Sequence, residues 1–233
     1  MSAGTIFDAT NDIPLSPFHT LDDLARRFGD LPLERIIQSP FPGTATEDDV
    51  LRLQESAEKR LCELVDGTLI EKTMGTYESY IACNLLVALS NHVTAKKLGI
   101  ILPADGLLRI RSALIRIPDV CFVSRERLQK GKFPQQGIAS LIPDIAAEVI
   151  SRGNTRREME EKLDDYFGSG VREAWYLYPE KKELHRYTAR DQFVVLTGTQ
   201  LLTTEILPGF QCEVGPLFLH PSEQLFDEGD TAG

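Results

Sequence analysis

The chain has 233 residues, 42% of them hydrophobic, and a formal net charge of -10 at pH 7. That length supports one sizeable core and is short for two independent domains. No run of about eighteen apolar residues occurs, which argues against a transmembrane helix, and the N-terminus has no secretory-signal pattern. The four cysteines lack CxxC spacing, which argues against a disulfide framework and a thiolate zinc site. We therefore expect a cytoplasmic protein.

The negative charge is unusual for a protein that binds nucleic acid. Basic residues nevertheless cluster locally, and such a face could meet phosphates while the remainder of the surface stays acidic. The alternative interpretation is that they are solvated surface charges. The cluster comprises Arg109, Arg111, Arg116, Arg125, Arg127, Lys130, Lys132, Arg152, Arg156 and Arg157.

The N-terminal part of the chain is rich in proline. Residues 1–44 contain one short helical pattern, near Leu21–Phe28, and are predicted to form an extended arm with modest order. A helix is then predicted from Thr44 or Thr46 through residue 60, because either threonine can cap it and three acidic residues follow at its positive end.

A hairpin and a long helix come next. Asp66 and Gly67, flanked by alternating residues, are a strong signal for a two-residue hairpin turn. The segment TYESYIACNLLVALSNHVTAKKLG has apolar residues at helical spacing, and Gly99 is predicted to close that helix.

The remainder of the chain alternates between strands and one helix. IILP, GLLRIR, IPDVCFV and PDIAAEVIS are predicted strands, and a helix follows from Thr155 to Phe167. EAWYLY, ELHRYT and QFVVLT are further strands, LPGF introduces a last short one, and residues 221–233 are predicted to be a flexible tail. This order predicts an α/β or α+β fold in which helices pack on a sheet.

Two acidic residues lie within apolar strand segments. Alternation places Asp119 on one strand face with Cys121 and Val123, and Glu148 lies in a segment that is apolar on both faces, as in the centre of a sheet. A buried carboxylate is costly unless it is paired. Asp144 competes for the role of Asp119, but it lies roughly 13 Å along the strand from Glu148. A neighbouring strand, only about 5 Å away, could place Asp119 beside Glu148.

The following helix carries a lysine at the edge of its apolar stripe. Thr155 and Glu158 predict a capping box at the start of this helix. On the helical wheel Lys162 lies about 60° from Met159 and about 40° from Tyr166, so its long side chain can reach past the stripe toward the sheet. The alternative is an exposed i,i+4 pair between Glu158 and Lys162, worth only a few tenths of a kcal/mol.

These three side chains suit metal-dependent phosphodiester cleavage. Mg²⁺ prefers carboxylate and water ligands, and the reaction gains from a cation near the developing negative charge. The pattern predicts that Asp119 and Glu148 hold the metal and that Lys162 assists.

The same residues lie in stretches that resemble the Uma2 family, the DUF820 group, which is placed among restriction-endonuclease-like PD-(D/E)XK proteins. The stretches are CELVDGTLIEK, RIPDVCFVS, PDIAAEVIS, EMEEKLDDYFGSGVREAWYLYPEKKELHRY and LPGF, and they occur in the family's order over roughly residues 45–220. The resemblance implies one nuclease-like domain over that range, built as a mixed sheet flanked by helices.

The resemblance also implies a catalytic core. Asp119 and Glu148 would be metal ligands. The fold class usually carries its lysine two residues after the acidic residue, where this chain has Ile150. Lys162, on the following helix, matches the family's displaced lysine. Such families often add an acidic residue from the N-terminal part; Glu71 is the candidate, ahead of Glu78.

The expected function is that of a Mg²⁺- or Mn²⁺-dependent endodeoxyribonuclease with DNA as its partner. Arg152 and Arg156 are candidates for phosphate contacts. Because enzymes that cut both strands often need two active sites, a homodimer is consistent with this function.

Two other functions stay open. Many relatives carry a histidine just after the hairpin, where this chain has TYES. Together with the acidic charge, this departure motivates a non-catalytic interaction module that keeps the nuclease fold. The other alternative is a metal-dependent hydrolase that acts on a small phosphoester.

Overall fold

Six strands form the central sheet of the computed structural model, which describes residues 17–18, 20–128 and 137–225. The strands are β3 (Gly99–Pro103), β6 (Val120–Ser124), β7 (Ile145–Val149), β8 (Glu173–Tyr178), β9 (Glu183–Ala189) and β10 (Gln192–Thr197). Their order in the sheet is β10-β9-β8-β7-β6-β3. Strands β7 and β8 are parallel and the other neighbouring pairs are antiparallel, so the sheet is mixed, as predicted.

A second, antiparallel sheet comprises β1 (Cys62–Val65), β2 (Thr68–Glu71), β4 (Leu108–Arg111) and β5 (Leu114–Arg116). Its strand order is β2-β1-β5-β4. The predicted hairpin joins β1 to β2, and both turn residues have positive φ, 47° at Asp66 and 66° at Gly67, as a type I′ turn requires. A small pair, β11 (Leu201–Leu202) and β12 (Cys212–Glu213), completes the strands of the described part of the chain.

Helices cover both faces of the central sheet. On one face, α3 (Thr76–Lys96) buries Ile81, Leu85, Leu89 and Val93 against β6, β7 and β8. On the other face, α4 (Arg156–Gly168) buries Met159, Leu163 and Tyr166. This arrangement explains why β6 and β7 are apolar on both faces. The capping box predicted at Thr155 is present. No helix within the described residues is long and apolar enough to cross a membrane.

The long helix ends earlier than predicted. Lys97, with φ 53°, takes the left-handed position that closes it. Gly99 instead begins β3, where it pairs with Ser124 of β6. A Cβ added there would collide with the carbonyl oxygen of Val123. Glycine is therefore needed for the close approach of β3 to β6 rather than for the helix end.

Replacing Gly99 with alanine is expected to destabilise the protein by about 1–3 kcal/mol, because the edge strand must shift away from β6. Urea unfolding checks this. An unchanged midpoint would show that the two strands separate without penalty.

The N-terminal segment differs from the extended arm that was expected. Helix α1 (Leu21–Phe28) forms as predicted, but Phe18, Leu24, Phe28 and Ile36 are buried in the same core cluster as α4. The physical reason is that burying these apolar side chains is more favourable in free energy than leaving them exposed to water in an extended arm. Residues 1–16 of the expected arm lie outside the described residues.

Two other helix boundaries differ from expectation. Helix α2 (Glu47–Glu55) starts after Thr46, which forms a capping box with Asp49, and stops well before residue 60. Helix α5 (Pro221–Leu225) forms at the start of the predicted tail. The remainder of that tail, residues 226–233, lies outside the described residues.

Candidate active site

Asp119 and Glu148 lie side by side on neighbouring strands. Asp119 directly precedes β6, and its backbone N–H donates to the carbonyl oxygen of Ala147 (2.9 Å). The antiparallel register pairs Val120 with Ala147, so its continuation sets Asp119 opposite Glu148 on the sheet face that α4 covers. Each of the two residues is only 4% exposed. The predicted convergence of two inward-facing acids is therefore present.

The two carboxylates have different partners. Asp119 Oδ2 accepts from the backbone N–H of Val149 (2.6 Å). Its Oδ1 forms an ion pair with Lys72 Nζ (2.8 Å) and has no further hydrogen-bond partner in the described residues. Glu148 Oε1 accepts from Lys162 Nζ (3.1 Å) and from the Tyr166 hydroxyl (2.5 Å).

Lys162 reaches the sheet, and it is more deeply buried than an edge position suggests. It is 3% exposed, and its Nζ lies 3.1 Å from both Glu148 Oε1 and Glu63 Oε1. The alternative of an exposed pair with Glu158 does not apply, because Glu158 is itself buried and binds Arg35 (2.8 Å). A long side chain at the edge of the apolar stripe of a helix can extend inward in this way when buried carboxylates are there to bind its charged end.

The ammonium of Lys162 is shared by two acids in the buried cluster formed by Asp119, Glu148, Lys162, Glu63 and Lys72. Burial alone would lower the pKa of Lys162, but the carboxylates of Glu148 and Glu63 hold it above its ordinary value. Burial would raise the pKa of Glu63, but Lys162 and the guanidinium of Arg116 hold it well below its ordinary value. Burial raises the pKa of Glu148, and the attraction of Lys162 and Lys72 does not cancel that rise. Glu63 is therefore the firmly ionised partner.

Glu63 and Lys72 are cluster members that the sequence reasoning missed. Glu63 lies in β1, where it accepts from Arg116 Nη1 (2.7 Å) and from the backbone N–H of Ile117 (3.0 Å). A signal for it existed, since it is an acid inside the apolar strand CELV, as Asp119 is in its own segment. Lys72 follows β2 and also donates to the carbonyl oxygen of Ile117. A lysine after a strand carries no such signal.

Glu71, the predicted accessory acid, is not brought to the cluster. In the β1–β2 register Glu71 pairs with Cys62, whereas Glu63 pairs with Ile70, so the two glutamates point to opposite faces of the hairpin. The side chain of Glu71 accepts from Arg60 (3.0 Å and 2.5 Å). The hairpin does contribute an acid, but from its first strand.

Most of the basic residues that were predicted to form one face are engaged in separate ion pairs with acidic residues. Arg152 and Arg156 have side chains that are each 91% exposed and pair with Glu180 and Glu160; neither reaches the cluster. Arg116 is buried instead of exposed, because it neutralises Glu63 and Asp165. Lys130 and Lys132 lie outside the described residues.

Asp144 directly precedes β7, at the opposite end of the strand from Glu148, as predicted from their separation along the strand. Its carboxylate accepts from the backbone N–H of Ser124 (2.8 Å) and pairs with Arg127 (3.0 Å). It therefore serves the connection between β6 and β7 rather than the cluster.

Comparison with known proteins identifies the family of this chain. The sequence model of the Uma2 family, described as "Putative restriction endonuclease", matches residues 47–215. No curated protein matches the chain. A crystal structure of a putative nuclease belonging to DUF820 from Anabaena variabilis has the same fold, with a TM-score of 0.63 and 16% sequence identity. The match covers 73% of this chain and 96% of that one. With its mixed sheet and this family match over most of its length, the chain belongs to the Uma2 family of restriction-endonuclease-like proteins.

Proposed function

We propose that the chain is a divalent-metal-dependent nuclease that hydrolyses DNA phosphodiester bonds at Asp119, Glu148 and Lys162. The observation that carries the proposal is the meeting of two buried carboxylates with an ammonium 3.1 Å from one of them. Buried charges of this kind are costly to maintain, and ionisable groups with shifted pKa values concentrate at functional sites. Membership of the Uma2 family supports a nuclease.

The residues present fit a small, hard cation. The buried Asp119 Oδ1 has the ammonium of Lys72 as its partner, a position that a metal cation could take, and Glu148 lies opposite Asp119 on the next strand. No group of three or more His, Cys, Asp or Glu side chains in the described residues could hold a metal ion. Two carboxylates suffice for Mg²⁺, which usually keeps several waters and binds substrate phosphates. Asp119 and Glu148 would hold the ion, and Lys72 would have to withdraw from Asp119.

The reaction adds water to phosphorus and breaks the bond to the leaving oxygen, which yields a phosphate monoester and a hydroxyl. A bound divalent ion would supply charge neutralisation and water activation. Lys162 stays protonated because Glu148 and Glu63 raise its pKa, so its ammonium can stabilise negative charge on the phosphate. Glu63 positions Lys162 through their ion pair, and Tyr166 positions Glu148 through its hydroxyl hydrogen bond.

Access to the cluster requires local opening. The segments that follow β2 and β7 meet at this end of the sheet, and a Cβ added at Gly153 would lie 3.2 Å from Thr73 Oγ1. Because Asp119 and Glu148 are almost fully buried, a DNA phosphate can reach them only after the structure around them opens, and we propose that these two segments move apart.

Nicking of a supercoiled plasmid in Mn²⁺ tests the proposal. Wild type should convert the plasmid to open circles, and both Asp119→Ala and Lys162→Ala should be inactive. Val194→Ala, at an exposed position of β10, is the control and should match wild type. Equal activity in all four proteins would end the proposal.

Lys72→Met tests whether this ammonium occupies the position of a metal ion. The change leaves Asp119 without its cation, so we expect a loss of about 3 kcal/mol of stability. Mn²⁺ should then raise the melting temperature of Lys72→Met more than that of wild type, because a ligand that binds only the folded state stabilises it.

The double variant Lys72→Met with Asp119→Asn is the control for that measurement. It should lose the response to Mn²⁺, since the carboxylate ligand is gone. An equal Mn²⁺ effect on wild type and Lys72→Met would count against a shared position.

A non-catalytic interaction module is the second candidate. It is favoured by the ammonium of Lys72, which lies directly against Asp119, and by the burial of the cluster. Calorimetry with Mg²⁺ and Mn²⁺ separates the two functions. Binding that depends on Asp119 and Glu148 supports the nuclease, whereas no binding in any condition supports the module.

A further inference from the structure

A cleft of about 670 Å³ lies beside the cluster, between α4 and the outer strands β8 to β10. Met159 and Tyr176 line it, and the Tyr176 hydroxyl donates to the carbonyl oxygen of Met159 (2.8 Å). In the parallel β7–β8 register Tyr176 is the partner of Glu148. The cleft therefore begins one strand away from Glu148, on the same face of the sheet.

Four neighbouring rings line the outer part of this cleft: Tyr178, His185, Tyr187 and Phe193. Phe193 is stacked on His185, with 5.4 Å between ring centroids and 10° between planes, and lies 4.8 Å from Tyr187. Tyr178 lies 4.4 Å from His185. Strand register explains the grouping, because Phe193 pairs with Tyr187 and His185 pairs with Tyr176.

The ring of Phe193 faces the cleft and is exposed to solvent. It is 49% exposed on β10, the edge strand of the central sheet. Its neighbour Val194 is 45% exposed but points to the opposite face, since it pairs with Arg186 rather than with the ring cluster. The aromatic surface is therefore specific to the cleft side of this strand.

One cation beside the rings is available to an anionic ligand. Arg156 and Arg190 also line the cleft, but Arg156 pairs with Glu160 and Arg190 pairs with Asp164. Lys181 is the lining cation that these acids leave unpaired. Lys181 Nζ lies 5.9 Å from the ring centroid of Tyr178, and within the described ranges it forms no salt bridge.

We propose that this cleft binds an unpaired nucleic-acid strand, with a base stacked on Phe193 and the backbone phosphates near Lys181. Exposed aromatic rings beside cations are the elements that hold single strands, because every base has a face that stacks. The inference rests on the proposed function in one respect only: the bound strand is the one that the active site would cut. Binding itself needs neither metal nor cleavage.

Fluorescence anisotropy without divalent metal tests the cleft. The probes are a labelled oligothymidylate of about fifteen nucleotides, an abasic strand of the same length, and a duplex of the same length. We expect wild type to bind the oligothymidylate about tenfold more tightly than the abasic strand, and Phe193→Ala to lose that about tenfold preference. Val194→Ala, from the opposite face of the same strand, should behave as wild type.

Three results would overturn the inference. These are equal affinity of wild type for oligothymidylate and abasic strand, preferential binding of the duplex with no effect of Phe193→Ala, and no binding of any probe.

Failure of the cleft and failure of the nuclease are distinguishable. Base-dependent binding without plasmid nicking would leave the cleft standing and remove the enzyme, whereas nicking by wild type and Phe193→Ala alike, without base-dependent binding, would do the reverse. Asp119→Ala should keep the wild-type preference for the oligothymidylate, because binding in the cleft needs no metal ligand.

Discussion

Glu148→Gln is expected to abolish DNA cleavage while leaving the protein folded. Glutamine has the shape of glutamate, and its amide oxygen can still accept from Lys162 and Tyr166. Burial raises the pKa of Glu148, so its ionised form opposes folding and its removal should change stability by less than about 1 kcal/mol. Loss of an anionic ligand should lower the cleavage rate at least about a hundredfold, since even indirect partners of metal ligands contribute 10–100-fold.

The pH dependence of stability gives this prediction a second readout. A carboxyl whose pKa is raised by folding carries a penalty above that pKa, and the penalty disappears below its ordinary, unfolded value. Wild type should therefore gain stability relative to Glu148→Gln as the pH falls toward the ordinary carboxyl range. Urea unfolding at several pH values, with plasmid nicking alongside, measures both effects. A variant that cuts DNA as wild type does would remove Glu148 from the site.

Lys162→Met should produce the largest loss of stability, about 3–5 kcal/mol, because it leaves Glu63 and Glu148 buried without the cation that they share. Cleavage should be lost as well. Lys181→Met makes the same chemical change at an exposed lysine and should shift stability by no more than about 0.5 kcal/mol.

A double-mutant cycle identifies the cause of that loss. If the penalty comes from uncompensated carboxylates, Lys162→Met combined with Glu148→Gln should be more stable than the sum of the single effects predicts. Urea unfolding of wild type, the two single variants and the double variant measures these stabilities. The comparison requires that the dependence of the unfolding free energy on urea concentration be the same in all four proteins. A loss for Lys162→Met no larger than that for Lys181→Met would show that its ammonium is solvated in solution.

The central sheet and the main pair of acids were predictable because strong periodic signals specify them. Alternation assigned Asp119 and Glu148 each to a face of its own strand, and strand spacing disfavoured Asp144. Helical geometry predicted that Lys162 could reach inward. Each inference needed only local geometry and one assumption, that two apolar strands are neighbours in the sheet.

The remainder of the site depends on tertiary contacts that leave no local pattern. Glu71 and Glu63 occupy the two strands of one hairpin, and only the packing of that hairpin shows which of them faces Lys162. Lys72 joins the cluster because β2 ends beside Ile117, far along the chain. The burial of Phe18 and Leu24 depends likewise on a surface supplied by α4.

Diffraction from a crystal soaked in Mn²⁺, recorded at the manganese absorption edge, tests the metal site most directly. The proposed function predicts one anomalous peak in contact with the carboxylates of both Asp119 and Glu148, with the ammonium of Lys72 displaced from Asp119. A saturated soak that leaves Lys72 against Asp119, with no peak between the two acids, would contradict it.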